Sequence, residues 1–215
     1  SRQLINVLRC QVNDQVVIFD GSGFEYKVKI VNVRNKICSA RLMEKIFVDN
    51  DNKFKVTVFI SLIKQNRFEN ALQKCTELGV TTFVPILTEK STIHRNLNLV
   101  KKKYDRWNRI IVEATEQSQR GLLPFLNDPL TFEDGCSLAG DFALICSLNC
   151  NQSFKDSLKL ASKSNLSIDI FVGPEYGFTS EEELFAIKKG IRKLSLGPRI
   201  LRAETAAISA ISILQ

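Results

Sequence analysis

Ile168-Asp-Ile-Phe-Val-Gly-Pro-Glu-Tyr-Gly-Phe-Thr-Ser-Glu-Glu-Glu-Leu, then Leu194-Ser-Leu-Gly-Pro-Arg-Ile-Leu-Arg-Ala-Glu-Thr-Ala, reads strand, tight turn, helix twice over. The apolar run Ile168 to Val172 is the mark of a strand buried on both faces. Gly173-Pro174 ends it, and Thr179 with Glu182 three residues on predicts a capping box. Glu181 to Glu183 suit the positive end of the helix that follows. Lys188, Lys189 and Gly190 suit its close. Leu194 to Leu196 predicts the next strand, Gly197-Pro198 breaks it, and Ala203 to Leu214 predicts an Ala- and Ile-rich helix.

Glycine lets backbone approach a ligand closely, and proline stiffens a turn. In open α/β sheets, ligands sit outside the carboxyl ends of the strands, where both Gly-Pro turns fall. Taken as chemistry alone, the pattern fits a ligand cradle and an ordinary strand-to-helix turn equally well.

Working outward, 215 residues suffice for one large or two modest domains, and 44% are hydrophobic, enough for a sizeable core. No apolar stretch approaches membrane-span length, and the N-terminus lacks a signal-peptide run. A soluble, cytoplasmic protein is expected. A net charge of +7 and a pI near 9.1 favour a polyanion such as nucleic acid, or an anionic surface. Six cysteines without a Cys-x-x-Cys pair, and one histidine, argue against a metal site and fit a reducing compartment.

Residues 1–53 read as short strands: Val16-Val-Ile-Phe, the turn Asp20-Gly-Ser-Gly, the alternating Phe24-Glu-Tyr-Lys-Val-Lys-Ile, then Lys36 to Met43 and Lys45 to Val48. Strands so closely spaced predict a small β-barrel. The polar tract Asp49 to Lys53 marks the boundary to a second domain, 54–215. There Lys55 to Lys64 predicts a strand, and Arg67 to Leu78 a helix with Phe68, Leu72, Cys75 and Leu78 on one face. Val80 to Leu87 predicts another strand, giving a right-handed parallel unit. A polar loop, Glu89 to Val100, carries Lys90, His94 and Arg95. Lys101 to Gln119 predicts a helix burying Tyr104, Trp107, Ile111 and Ala114. Its Lys101, Lys102, Lys103, Arg106 and Arg109 run against the helix dipole, which suits an anionic partner. Phe142 to Cys146 predicts one more buried strand, and Asn149 to Asn165 a polar loop.

Val172-Gly-Pro-Glu-Tyr-Gly-Phe and Leu196-Gly-Pro-Arg-Ile-Leu-Arg-Ala-Glu-Thr-Ala resemble the paired signature of the SPOUT methyltransferases. More narrowly, they resemble the small-subunit ribosomal RNA uridine-N3 methyltransferase family. Three further blocks resemble that family in the same order. Leu4-Ile-Asn-Val-Leu-Arg with Phe19-Asp-Gly-Ser-Gly-Phe-Glu-Tyr is similar to its PUA-like opening domain. Lys64 with Lys74-Cys-Thr-Glu-Leu-Gly-Val is the second block, and Glu113-Ala-Thr-Glu-Gln-Ser-Gln-Arg the third. The family's usual residues before Leu4 are missing, as expected of a trimmed chain. Tyr176 stands where the family usually has glycine.

The resemblance implies an α/β SPOUT fold with a parallel sheet and a C-terminal trefoil knot, preceded by a PUA-like β-barrel. It implies S-adenosyl-L-methionine held by Ser147, Leu148, Gly173, Pro174, Gly177, Leu196, Gly197, Ile200 and Leu201. It implies RNA contacts from Arg9, Lys64 and Arg120, and no metal. The implied activity is methyl transfer to N3 of a uridine in small-subunit ribosomal RNA. That chemistry needs help in removing the N3 proton. Glu175 and Glu204 are the carboxylates beside the two turns, and Arg202 is the cation best placed to stabilise uracilate. The residues leave open which of them acts, and Glu204 serves equally as a charge at the start of the last helix. Two alternatives stand beside this reading. One is a non-catalytic RNA-binding or ribosome-assembly protein that keeps the fold, favoured by Tyr176. The other is a methyltransferase of the same fold acting on another RNA position. The last helix is apolar nearly all round. It predicts burial on more than one side and a homodimer, with Ala207 at the contact.

Overall fold

The computed structural model describes residues 4–5, 8–35, 37–48, 50–52, 54–91, 97–148, 150 and 167–215. His94 and Arg95, and the expected loop Asn149 to Asn165 apart from Cys150, lie outside them. By its own contacts the chain forms two units: residues up to Asp51 with Gln119–Leu123, and Asn52–Ser118 with Pro124–Gln215.

In the first unit β1 (Gln15–Phe19), β2 (Phe24–Arg34) and β3 (Ile37–Phe47) make an antiparallel sheet in that order. Asp20 shapes the turn between β1 and β2 by accepting from the Ser22 amide at 3.0 Å and the Tyr26 hydroxyl at 2.9 Å. The two strands expected at Lys36–Met43 and Lys45–Val48 are one. Glu44 crosses to Lys27 as an ion pair at 2.9 Å, and β-bulges at Lys27/Val28 and Ile30/Asn32 absorb the change of register. Among the described residues the sheet is three-stranded and open, not a closed barrel. Residues 119–123 return to it. The Gly23 amide donates to the Gly121 carbonyl at 2.9 Å, and Ser22 bridges Leu122.

The second unit is a parallel sheet of seven strands: β4 (Lys55–Ser61), β5 (Thr82–Leu87), β6 (Phe125–Leu126), β7 (Leu130–Thr131), β8 (Ala143–Cys146), β9 (Ser167–Val172) and β10 (Arg192–Leu194). Their order is β10-β8-β9-β4-β5-β6, with β7 also on β5. The chain starts at the central β4, moves out to β5 and β6, then returns to the other side of β4. The last-formed strand lies two residues earlier than Leu194 to Leu196, because Arg192 to Leu194 pair with Leu144 to Cys146. Only Leu194 is buried there; Leu196 already belongs to the following turn.

Among the described residues five helices cover the sheet: α1 (Gln65–Glu77), α2 (Leu97–Gln117), α3 (Phe132–Leu138), α4 (Ser180–Lys188) and α5 (Ala203–Ser212). Each face of the sheet has its own core. Val56, Val58 and Ile60 pack with Phe68 and Leu72 of α1, Trp107 of α2, and Ala207 and Ile211 of α5. Phe59 and Phe171, stacked at 4.2 Å, pack with Phe132 and Cys136 of α3 and Ala186 of α4. The alternation of Val58, Phe59 and Ile60 between the two cores is why β4 reads as an unbroken apolar run. Ala207 is 0% exposed and faces the sheet of its own chain, so it is not a contact for another helix. The capping box at α4 is present. The Thr179 hydroxyl accepts from the Glu182 amide at 3.2 Å, and Glu182 returns a carboxylate oxygen to the Thr179 amide at 2.8 Å.

Candidate functional site

The carboxyl ends of β8, β9 and β10 open onto one cleft within the second unit, about 540 Å3 including its mouth. Three turns build it. After β8 come Ser147 and Leu148; after β9, Gly173, Pro174, Glu175 and Gly177; after β10, Leu196, Gly197, Ile200 and Leu201. All nine residues expected to hold a cofactor therefore line a single space. Ser147 is buried and its amide donates to the Leu194 carbonyl at 2.9 Å, which ties the first turn to the third.

The middle turn is closed by the Gly177 amide donating to the Pro174 carbonyl at 2.9 Å. Gly177 carries the positive φ, 65°, that the turn requires, and Tyr176 does not. Tyr176 is 75% exposed, so its ring projects into solvent and takes no space from the cleft. A tyrosine where the resembling family has glycine thus leaves the turn intact. In the third turn Gly197 has φ 105°, and a Cβ built on it would meet nothing within 4 Å. The backbone there borders open space, which is how a chain presents peptide edges to a ligand.

The three residues expected to be catalytic separate into two environments. Arg202 is exposed, at the N-cap of α5. Glu175 and Glu204 are drawn together by Arg67, which sequence reading missed. Its Nη1 donates to Glu175 Oε1 at 2.9 Å, and its Nε stands 3.7 Å from Glu204 Oε1. Each glutamate keeps its Oε2 buried with no partner among the described residues. Cys146 lines the cleft, and burial pushes its thiol up to about 12, which disfavours the thiolate at neutral pH.

The residues expected to meet RNA also divide. Arg9 is exposed in the first unit, with φ 52°. Lys64 is exposed at the N-cap of α1. Arg120 is 5% exposed and paired with Asp51, its Nη2 at 2.5 Å and its Nε at 2.7 Å from Oδ1. A guanidinium buried against a carboxylate binds its own unit together. On α2, Arg106 is likewise occupied, forking onto both oxygens of Glu69 at 2.6 and 2.8 Å. This explains how α2 tolerates a cation that was read as awaiting an anionic partner, and it holds the Glu69 carboxyl below its ordinary range. Among the described residues no group of three or more His, Cys, Asp or Glu is placed to hold a metal ion, and no helix is long and apolar enough to cross a membrane.

Residues 50–215 match the family described as an RNA methyltransferase domain. The chain belongs to that RNA methyltransferase family. Residues 4–43 match the RNA methyltransferase PUA domain, so a PUA-like domain precedes the α/β unit. The family member described here is 37% identical over 212 residues to ribosomal RNA small subunit methyltransferase E of Synechocystis sp., covering 97% of this chain and 68% of that protein. It is 36% identical over 209 residues to the protein of the same name from Rickettsia conorii, covering 96% and 82%. Among solved structures, a methyltransferase of Legionella pneumophila in complex with the cofactor SAM is 31% identical, with a TM-score of 0.92 and coverage of 100% and 87%. The ribosomal RNA small subunit methyltransferase E of Neisseria gonorrhoeae, bound to S-adenosyl methionine, is 29% identical, with a TM-score of 0.88 and coverage of 99% and 87%.

Proposed function

We propose that this chain transfers a methyl group from S-adenosylmethionine to N3 of a uridine in small-subunit ribosomal RNA. The observation that carries the reading is the single cleft lined by all three turns, in a chain of the RNA methyltransferase family. The residues present fit the cofactor. Leu148, Leu196, Ile200 and Leu201 offer apolar surface for an adenine, and the open space beside Gly197 admits its sugar. When bound, S-adenosylmethionine supplies an electrophilic methyl group on a sulfonium, and its loss leaves a neutral thioether.

The protein's part is positioning and proton handling. A uridine N3 carries its proton at neutral pH and must lose it as the methyl arrives. Glu175 lines the cleft, its Oε2 has no partner among the described residues, and its carboxylate is the acceptor in this proposal. Arg67 on its other oxygen keeps that carboxylate oriented. Arg202, exposed at the start of α5, stabilises the uracilate. Cys146 is given no covalent step, since burial raises its thiol and disfavours the thiolate.

Arg9 and Lys64 meet the phosphate backbone, which makes RNA binding salt-dependent by counterion release. The reading carries with it a C-terminal trefoil knot around the cleft, a cytoplasmic location and a homodimer through α5. The pairing face of α5 is the one with Thr205, Ile208 and Ser212, continued by Ile213, which is half exposed. Incubating the protein with small-subunit RNA and labelled S-adenosylmethionine, then digesting to nucleosides for mass spectrometry, tests the reading. Labelled 3-methyluridine is expected. Label in any other nucleoside, or none with RNA and subunits alike, refutes it.

A further inference from the structure

We propose that Arg67, Glu175 and Glu204 form a charge-selective wall of the cleft, which favours a cationic methyl donor over its neutral demethylated product. The inference rests on the cofactor reading above and goes beyond it. One guanidinium serves two carboxylates, at 2.9 Å and 3.7 Å. The trio therefore holds one negative charge more than it neutralises. It is sheltered: Glu204 is 9% exposed, and the Oε2 atoms of both glutamates are buried without a partner among the described residues. Two buried acceptor oxygens without a partner among the described residues are costly in isolation. The net negative charge they belong to lies beside the cleft and acts on a cationic ligand through space. The other cations nearby, Arg199 at the cleft and Arg202 beside it, are exposed, so water screens them far more than it screens the trio.

The trio meets the cleft through Glu175, with Arg67 and Glu204 set behind it. Glu204 follows Ala203, which also lines the cleft. Arg67 stands in the first turn of α1, on a separate element, so the trio joins the turn after β9 to the start of α5. S-adenosylmethionine carries a sulfonium that S-adenosylhomocysteine lacks, and the two are otherwise nearly the same shape. A net negative wall separates them by charge where packing alone does not. The consequence is that the spent product binds less tightly than fresh donor, which speeds exchange after each transfer.

The test is a calorimetric titration of the intact protein with each ligand, giving the ratio of the product Kd to the donor Kd. Glu204→Gln removes the excess charge and is expected to lower that ratio about fivefold, the size of one screened unit charge at close range. Arg67→Gln doubles the excess charge and is expected to raise the ratio by a similar factor. Arg67→Lys keeps the charge and is expected to leave the ratio as in the wild type. Loss of folding or of packing shifts both affinities together and does not drive the ratio in opposite directions. Should Arg67→Gln not fold, Glu175→Gln replaces it and is expected to lower the ratio as Glu204→Gln does. A ratio that stays constant, or moves the same way in Glu204→Gln and Arg67→Gln, overturns the wall while leaving the cofactor reading in place. A wild-type protein that binds neither ligand overturns the cofactor reading and the wall with it.

Discussion

Gly197 and Gly190 form a matched pair for locating the cofactor. Both hold positive φ, 105° and 88°, and a Cβ on either meets nothing within 4 Å. An L-residue forced into such backbone costs about 1–3 kcal/mol. At 2 kcal/mol, and with each kcal/mol worth about 2–4 °C in a chain of this size, alanine at either site is expected to lower the Tm by about 4–8 °C. The open space differs, however. Gly190 closes α4 after its last residue, Lys188, whereas Gly197 lines the cleft. Gly190→Ala therefore leaves S-adenosylmethionine affinity unchanged. Gly197→Val projects its methyls into the cleft and is expected to weaken binding by more than about tenfold, or ~1.4 kcal/mol. Differential scanning fluorimetry measures the first effect and calorimetry the second. Wild-type affinity in Gly197→Val, or equal losses at both glycines, refutes the assignment of the cleft.

Arg120→Ala leaves Asp51 part-buried without its ion pair, and removing one partner of such a pair costs about 3–5 kcal/mol. A urea midpoint that falls by less than the experimental error excludes that role. The Cys146 thiol, pushed up to about 12, is expected to resist iodoacetamide at pH 8 in the folded protein and to react once unfolded, as read by peptide mass spectrometry. Burial raises the Asp169 carboxyl above its ordinary value, against the opposing bonds from the Gly140 amide and Thr57. A raised acid contributes stability that is present below the unfolded value and lost as pH rises through the folded one. Asp169→Asn is therefore expected to flatten that decline in urea melts across the acid range, and an unchanged pH profile counts against it.

Much of the second unit was legible because its strands are apolar runs and its helix caps are local. Thr179 and Glu182 lie three residues apart, and their capping bonds need nothing else. Where one short element is concerned, locality fails. Arg192 to Leu194 is a strand only because it pairs with β8, and three residues carry no readable period. The helix α3 is seven residues, begun by Thr131 accepting from the Asp134 amide, and it escaped notice for the same reason. Arg67 was invisible as a site residue because its partner Glu175 is 108 positions away. The burial of Arg120 was not legible because charge in a sequence carries no record of its surroundings. Ala207 misled in the same way: an all-round apolar helix does not announce which side its own sheet will take.

The return of residues 119–123 to the first unit bears on how this chain can be made and recombined. Asp51 waits for Arg120, and Gly23 for Gly121, so the N-terminal module lacks its closing pieces until a long stretch belonging to the other module has been synthesised. On an emerging chain the first module completes late, after α1, β5 and α2 have left the ribosomal tunnel. A gene cut between the codons for Asp51 and Asn52 severs both ties, so the modules cannot be exchanged as cassettes by a single crossover there. Any lineage that swapped one for another had to carry both crossings of the chain together.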